Sequence, residues 1–169
     1  LAMVAVATCA FFAAISGSSA ATAAAVGAII VPEMLKHKYD RNFAAGTIAS
    51  SAELGVIIPP SIPFIMYGMA SGASVSSLFL AGVIPGLMIG LLLMLYAIYH
   101  CRRYGEDREK IHAEIHLLRE KGLFRVLRES FFALLSPVII LGCIYSGIAS
   151  PTEAAVISVF YALFVSLFL

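Results

Sequence analysis

Long apolar stretches fill this chain, and the polar or helix-breaking residues that interrupt them fix its architecture. Residues 1–15 are almost wholly apolar, and residues 22–35 are rich in Ala, Val and Ile up to Pro32-Glu33. Between them lies Ile15-Ser16-Gly17-Ser18-Ser19-Ala20-Ala21-Thr22, a knot of hydroxyls around one glycine. Each arm has about 15 residues, short of the roughly 20 that a helix needs to cross a bilayer. Two half-length helices meeting at a Ser/Gly tip predict a re-entrant helical hairpin over residues 1–35. Backbone freed from helix at membrane depth survives only when buried in protein or lining a watery cavity. One continuous helix with its polar residues packed at the middle is the other reading, and the residues alone leave both open.

The next apolar stretch, residues 41–70, is interrupted by Gly55-Val56-Ile57-Ile58-Pro59-Pro60-Ser61-Ile62-Pro63. An interior proline removes a helix hydrogen bond and clashes one turn back, at about 3 kcal/mol or more. Pro59 also pushes Ile58 out of the helical region. The pattern predicts two half-helices joined by an unwound segment. A turn over residues 71–77 leads to a more regular helix over 77–100. There Gly82, Gly86 and Gly90 recur every four residues, a smooth face for close packing. Pro85 predicts a mild kink, and Tyr96 and Tyr99 sit as interfacial aromatics do.

Charge sets the topology. One basic cluster is Lys36-His37-Lys38 with Arg41, and a second starts at Arg102-Arg103 and continues to Arg128. Positive loops favour the cytoplasm, so the segment between them crosses an even number of times and the hairpin opens inward. Residues 101–128 read as an amphipathic cytoplasmic connector broken near Gly122. A third apolar segment follows over 131–148, then a turn at 149–153 where Ser150 or Thr152 caps the next helix. A return crossing begins at residue 154.

Composition agrees with a membrane protein: 61% of the 169 residues are hydrophobic, and mean hydropathy is +0.97. A formal net charge of +1 says nothing about nucleic acid, and with no basic-aromatic array present no nucleic-acid partner is expected. The chain begins at Leu1 and stops inside an apolar run, as expected for part of a larger protein, and shows no signal peptide. Cys9, Cys101 and Cys143 have no pairing or metal spacing and read as free thiols.

An enzyme reading fails for want of parts. His37, His100, His112 and His116 fall in charged loops or at a membrane boundary, so no base is placed to activate Ser18 or Ser19. In His112-Ala113-Glu114-Ile115-His116 the Glu is misplaced for a zinc protease, and a solvated helix face explains the spacing better. A transport site fits. The carbonyl end of a half-helix suits a cation and the amide end an anionic group. Hydroxyl oxygens suit a hard cation such as Na⁺. The candidate ligands and cleft residues are Ser16, Gly17, Ser18 and Ser19 in the tip and Gly55, Pro59, Pro60 and Ser61 in the break. Thr22 and Glu53 stand beside them. An intramembrane carboxylate is expensive and by default functional; Glu53 either faces a watery cleft or is protonated. Glu33 and Glu153 read as caps or interface groups.

Four motifs then stand in one order: Phe11-Phe12-Ala13-Ala14-Ile15-Ser16-Gly17-Ser18-Ser19-Ala20 with Pro32-Glu33-Met34; Gly55-Val56-Ile57-Ile58-Pro59-Pro60-Ser61-Ile62 with Tyr67-Gly68; Leu78-Phe79-Leu80-Ala81-Gly82-Val83-Ile84-Pro85-Gly86; and Gly147-Ile148-Ala149-Ser150-Pro151-Thr152-Glu153-Ala154-Ala155. Together they resemble the large membrane (M) subunit of TRAP transporters, the tripartite ATP-independent periplasmic family. The resemblance covers the middle of such a subunit. First scaffold helices and a second hairpin with its own broken helix are missing.

The resemblance implies an all-α integral membrane fold within an inverted-repeat, elevator-type secondary transporter. Residues 1–100 would be part of its transport domain and 129–169 the start of a second repeat. It implies Na⁺-coupled import of an organic acid, C4-dicarboxylate or sialic-acid-like, delivered by a periplasmic binding protein. A small membrane (Q) subunit would complete the complex in a bacterial or archaeal cytoplasmic membrane. Residues 16–22 would be the first hairpin tip and 55–61 the first unwound helix, together holding one Na⁺. Ser150 stands where the family often has Thr, and Glu53 where a small neutral residue would be easier. A related carboxylate transporter without a binding protein, and a truncated scaffold that transports nothing, are the competing readings.

Overall fold

A computed structural model describes residues 1–104 and 123–168, with the side chains of 123–130, 132–134 and 168 left aside. Among the described residues the chain is helical, with no strand. It divides into two compact units, Leu1–His112 and Ala113–Leu169.

In the first unit α1 (Ala2–Ser16) and α2 (Ser19–Lys36) are separated by a two-residue corner. Gly17 ends α1 in the left-handed region, φ 63°, and its N–H donates to the Ala13 carbonyl at 3.0 Å. A Cβ disfavours that conformation, so glycine is the usual residue there. Ser18 follows in extended conformation and caps α2 by accepting from the Ala21 N–H. A helix stop against a helix start excludes the continuous helix. Ala2 at the far end of α1 and Met34 near the end of α2 share one core with Val6, Cys9, Val26 and Ile48, so the pair folds back as a hairpin.

Among the described residues α2 is one of three segments able by length and composition to cross a membrane, with Arg41–Ser71 and Val75–Tyr104. The expectation of two half-length arms therefore fits α1, at 15 residues, better than α2, at 18. Pro32 does not end α2, which runs on to Lys36.

Asp40 caps α3 (Arg41–Ala52) by accepting from the Asn42 and Phe43 N–H groups at 2.8 and 3.1 Å. A short turn, α4 (Leu54–Ile57), precedes the break, and α5 (Ile62–Ser71) follows it. The unwound part is residues 58–61, narrower than expected. Gly55 and Val56 wind into α4, and Pro63 sits in the first turn of α5, where its missing N–H has no partner to lose. Gly72, φ 75°, makes the turn into α6 (Val75–Tyr104), which starts earlier and ends later than the sequence pattern indicates.

The glycines of α6 face the interrupted helix. A Cβ on Gly82 would lie 2.6 Å from the Ile57 carbonyl oxygen and 2.5 Å from the Phe64 ring, and one on Gly86 2.9 Å from Ile58. Gly90 looks toward Leu54 at 3.8 Å. The opposite face carries exposed Leu80, Ile84, Leu87, Met88, Leu91 and Leu95, a surface suited to lipid.

In the second unit α7 (Leu123–Tyr145) packs on α8 (Pro151–Phe168), with the Ser136 and Ser158 hydroxyls 3.0 Å apart. Gly147, φ 71°, turns the chain between them. Ser150 and Glu153 form a capping box: the carboxylate accepts from the Ser150 N–H at 2.7 Å, and the Ser150 hydroxyl accepts from the Glu153 N–H. The expected connector over 101–128 begins inside α6 and ends inside α7. Its amphipathic part, with His112 and His116, lies outside the described residues.

Candidate functional site

The corner between α1 and α2 gathers oxygen. The Thr22 hydroxyl, fully buried, donates to the Ser18 carbonyl at 2.8 Å and lies 2.9 Å from the Ser16 hydroxyl. Ser16 Oγ also reaches the Ser18 carbonyl, at 3.3 Å, and the Ser18 N–H at 3.4 Å. Thr22 is one helical turn after Ser18, so helix geometry stacks its hydroxyl under the cap. The result is a knot of neutral oxygens with no charged member.

The unwound segment supplies a second set. Pro59 and Pro60 leave no N–H to continue the helix, and the Pro59-Pro60 peptide is cis. Ser61, fully buried, donates its hydroxyl to the Val56 carbonyl, so the open end of α4 is partly capped from across the break. Ser61 also precedes α5 in extended conformation, and its carbonyl accepts from Ile65 at 3.2 Å.

These two interruptions meet. The Ile62 N–H donates to the Gly17 carbonyl at 3.2 Å. A Cβ on Gly17 would stand 2.7 Å from the Pro60 oxygen, and one on Gly55 2.9 Å from the Ser18 carbonyl. Each glycine thus admits a carbonyl from the opposite loop. Gly17, Gly55, Pro59, Ser61 and Thr22 are buried, while Ser16, Ser18, Ser19 and Pro60 are partly so. Glu53 is exposed at the end of α3, outside the hydrogen-bonded knot.

What this arrangement offers a ligand is neutral oxygen. A hydroxyl that donates keeps its lone pairs, so Ser16, Thr22 and Ser61 retain acceptor capacity beside the carbonyls of Ser18 and Val56. Among the described residues no three His, Cys, Asp or Glu side chains are grouped to hold a metal. A donor set of neutral oxygens suits a hard cation.

Three parts of this site, and one buried side chain away from it, were not legible in the sequence. The Val56 carbonyl and Ile62 N–H are backbone groups, available only because the helix stops at Ile58. The Gly82 wall was legible as packing, though not as packing against the break. His37, placed in a charged loop by sequence, is 4% exposed; its neighbours Lys36 and Lys38 are exposed, and nothing in the sequence separates it from them.

The family model described as "Tripartite ATP-independent periplasmic transporter, DctM component" matches residues 1–169. The chain is 42% identical over 169 residues to the C4-dicarboxylate TRAP transporter large permease protein DctM of Vibrio cholerae, covering 100% of this chain and 36% of that protein. It is 41% identical over 168 residues to the isethionate TRAP transporter permease protein DctMQ of Oleidesulfovibrio alaskensis, covering 99% of this chain and 26% of the relative. The sialic acid TRAP transporter large permease protein SiaM of Vibrio cholerae is 40% identical over 153 residues, covering 90% and 34%. The chain thus spans about a quarter to a third of the length of these relatives.

Proposed function

The chain belongs to the DctM component family of tripartite ATP-independent periplasmic transporters, and on that premise we propose that it supplies one cation site of a Na⁺-coupled importer of organic acids. The observation that carries this reading is the meeting of two helix interruptions at Gly17 and residues 58–61, in a membrane protein with no carboxylate in the knot. Na⁺ would be held by neutral hydroxyls and carbonyls from Ser16, Ser18, Thr22, Val56 and Ser61, with Gly17, Gly55, Pro59 and Pro60 shaping the loops and Ser19 at the helix start beside them.

In this reading α1 and α2 form a re-entrant hairpin opening to the cytoplasm, within a transport domain that moves as an elevator. The site lies in a cytoplasmic (inner) membrane. The substrate is an anionic organic acid, since relatives are named for C4-dicarboxylate, isethionate and sialic acid. A periplasmic binding protein delivers it, and a small membrane subunit completes the complex. Each Na⁺ entering down 100 mV contributes roughly 2.3 kcal/mol, which supports about a fifty-fold gradient of solute. Two such ions would more than offset the repulsion of a monoanion and match that of a dianion.

The test is uptake by the full-length permease, reconstituted with its binding protein, as a function of Na⁺ concentration. Ser18→Ala and Ser61→Ala should each raise the Na⁺ needed for half-maximal uptake while leaving membrane insertion intact. Unchanged Na⁺ dependence in both would overturn the assignment.

A further inference from the structure

Between α1, α3 and α6 lies a cavity of about 210 Å³ that the ion reading does not use. One face of α3 supplies Asn42, Thr47, Ser50 and Ser51, while Val6 of α1 and Leu93 of α6 close the other walls. The residues are uncharged, and three of them are hydroxyls at the i, i+3, i+4 spacing of a single helix face.

Ser51 distinguishes this cavity from a packing gap. Its side chain is fully buried, and its hydroxyl has no hydrogen-bond partner among the described residues. Buried hydroxyls normally find a partner in protein or ordered water, and a cavity of this size has room for several waters along its hydroxyl-bearing wall. Asn42 and Ser50 are exposed, so the cleft opens along their edge and ends at Ser51, one residue before α3 does. Glu53, two residues further on, does not line the cavity.

We propose that this cleft is a hydrated site, taking water and small hydrophilic solutes in along the hydroxyl face of α3 as far as Ser51. The contrast with α6 is direct: its exposed face is Leu, Ile and Met, whereas the cleft face of α3 offers hydroxyls and an amide.

Single cysteines in the full-length permease, with the native cysteines replaced, test this. Thr47→Cys and Ser51→Cys should react with a small charged methanethiosulfonate reagent at least about tenfold faster than Ile84→Cys on the outer face of α6, because the reactive thiolate forms in water and is suppressed in apolar surroundings. Both reacting as slowly as Ile84→Cys in folded protein would overturn the proposal. Where Ser51→Cys fails to fold, Thr47→Cys decides alone. The readout needs no Na⁺, so it stands or falls apart from the ion site.

Discussion

The Ile62 N–H donates to the carbonyl of Gly17 at 3.2 Å, joining the first residue after one helix interruption to the residue that makes the other. Gly17 can do this because it has a positive φ and no Cβ, which would stand 2.7 Å from the Pro60 oxygen. Gly17→Ala meets both obstacles. The left-handed conformation alone costs roughly 1–2 kcal/mol for a residue with a Cβ, and the backbone of Pro60 cannot step aside as a side chain would. We expect a lower melting temperature and strongly reduced Na⁺-dependent uptake; uptake at wild-type level with an unchanged melting temperature would refute the contact.

Thr22→Val keeps the shape of the side chain and removes its hydroxyl. The Ser18 carbonyl and Ser16 hydroxyl each lose a partner. Both keep other partners, the Ser18 carbonyl through the Thr22 N–H and the Ser16 hydroxyl, and Ser16 through Ser18. The loss is therefore that of a net hydrogen bond, about 0.5–1.5 kcal/mol. If the knot binds Na⁺, half-maximal uptake should require roughly tenfold more of it. Thr22→Ser, which restores the oxygen, should recover most of the loss, as measured by the same titration.

The glycine track of α6 predicts a graded series. Gly→Ala in a helix interior gains up to about 1 kcal/mol in propensity, while overpacking costs about 1–3 kcal/mol. Gly82→Ala meets the Ile57 backbone oxygen and the Phe64 ring, so the cost should win. Gly86→Ala presses on the Ile58 side chain, which has some freedom to move. Gly90→Ala has its nearest neighbour at 3.8 Å and should be neutral or stabilising. Melting temperatures should fall in the order Gly90→Ala, Gly86→Ala, Gly82→Ala, and any other order would show that the track does not rest on the break.

Glu153 carries a pH dependence of known sign. Its carboxylate accepts from the backbone N–H of Ser150 and then from the Ser150 hydroxyl, which hold it below the usual carboxylate range. A carboxyl with a lowered folded value stabilises above its unfolded value, about 4.3. That contribution fades as pH falls through the lower folded value. The melting-temperature difference between wild type and Glu153→Gln should therefore be constant above about pH 5, an expectation from the same reference value, and shrink in more acidic buffer.

Much of this architecture was legible because the relevant signals are local. Gly17-Ser18 announces a stop and a start within two residues, and Pro59-Pro60 removes two donors in succession. Ser150 is one of the two caps, with Thr152, that its stretch of sequence offered. The extent of the break was not legible, since Gly55 and Pro63 are breakers in a helix interior yet harmless in α4 and in the first turn of α5. Nor was the docking of one interruption on the other. That depends on which carbonyls lie opposite which glycines, a property of the folded pair. Glu53 was singled out for its charge, but only the structure separates it from the oxygen knot.

Because Gly17 admits Pro60 and Gly55 admits Ser18, neither loop can change shape without the other's consent. Damage at one should be repairable at the other: a bulkier residue at position 55 ought to yield second-site revertants at 16–19. A one-residue insertion between 56 and 60 would put the wrong oxygens opposite both glycines at once. Genetic exchange between distant relatives should therefore succeed only when it swaps both loops together.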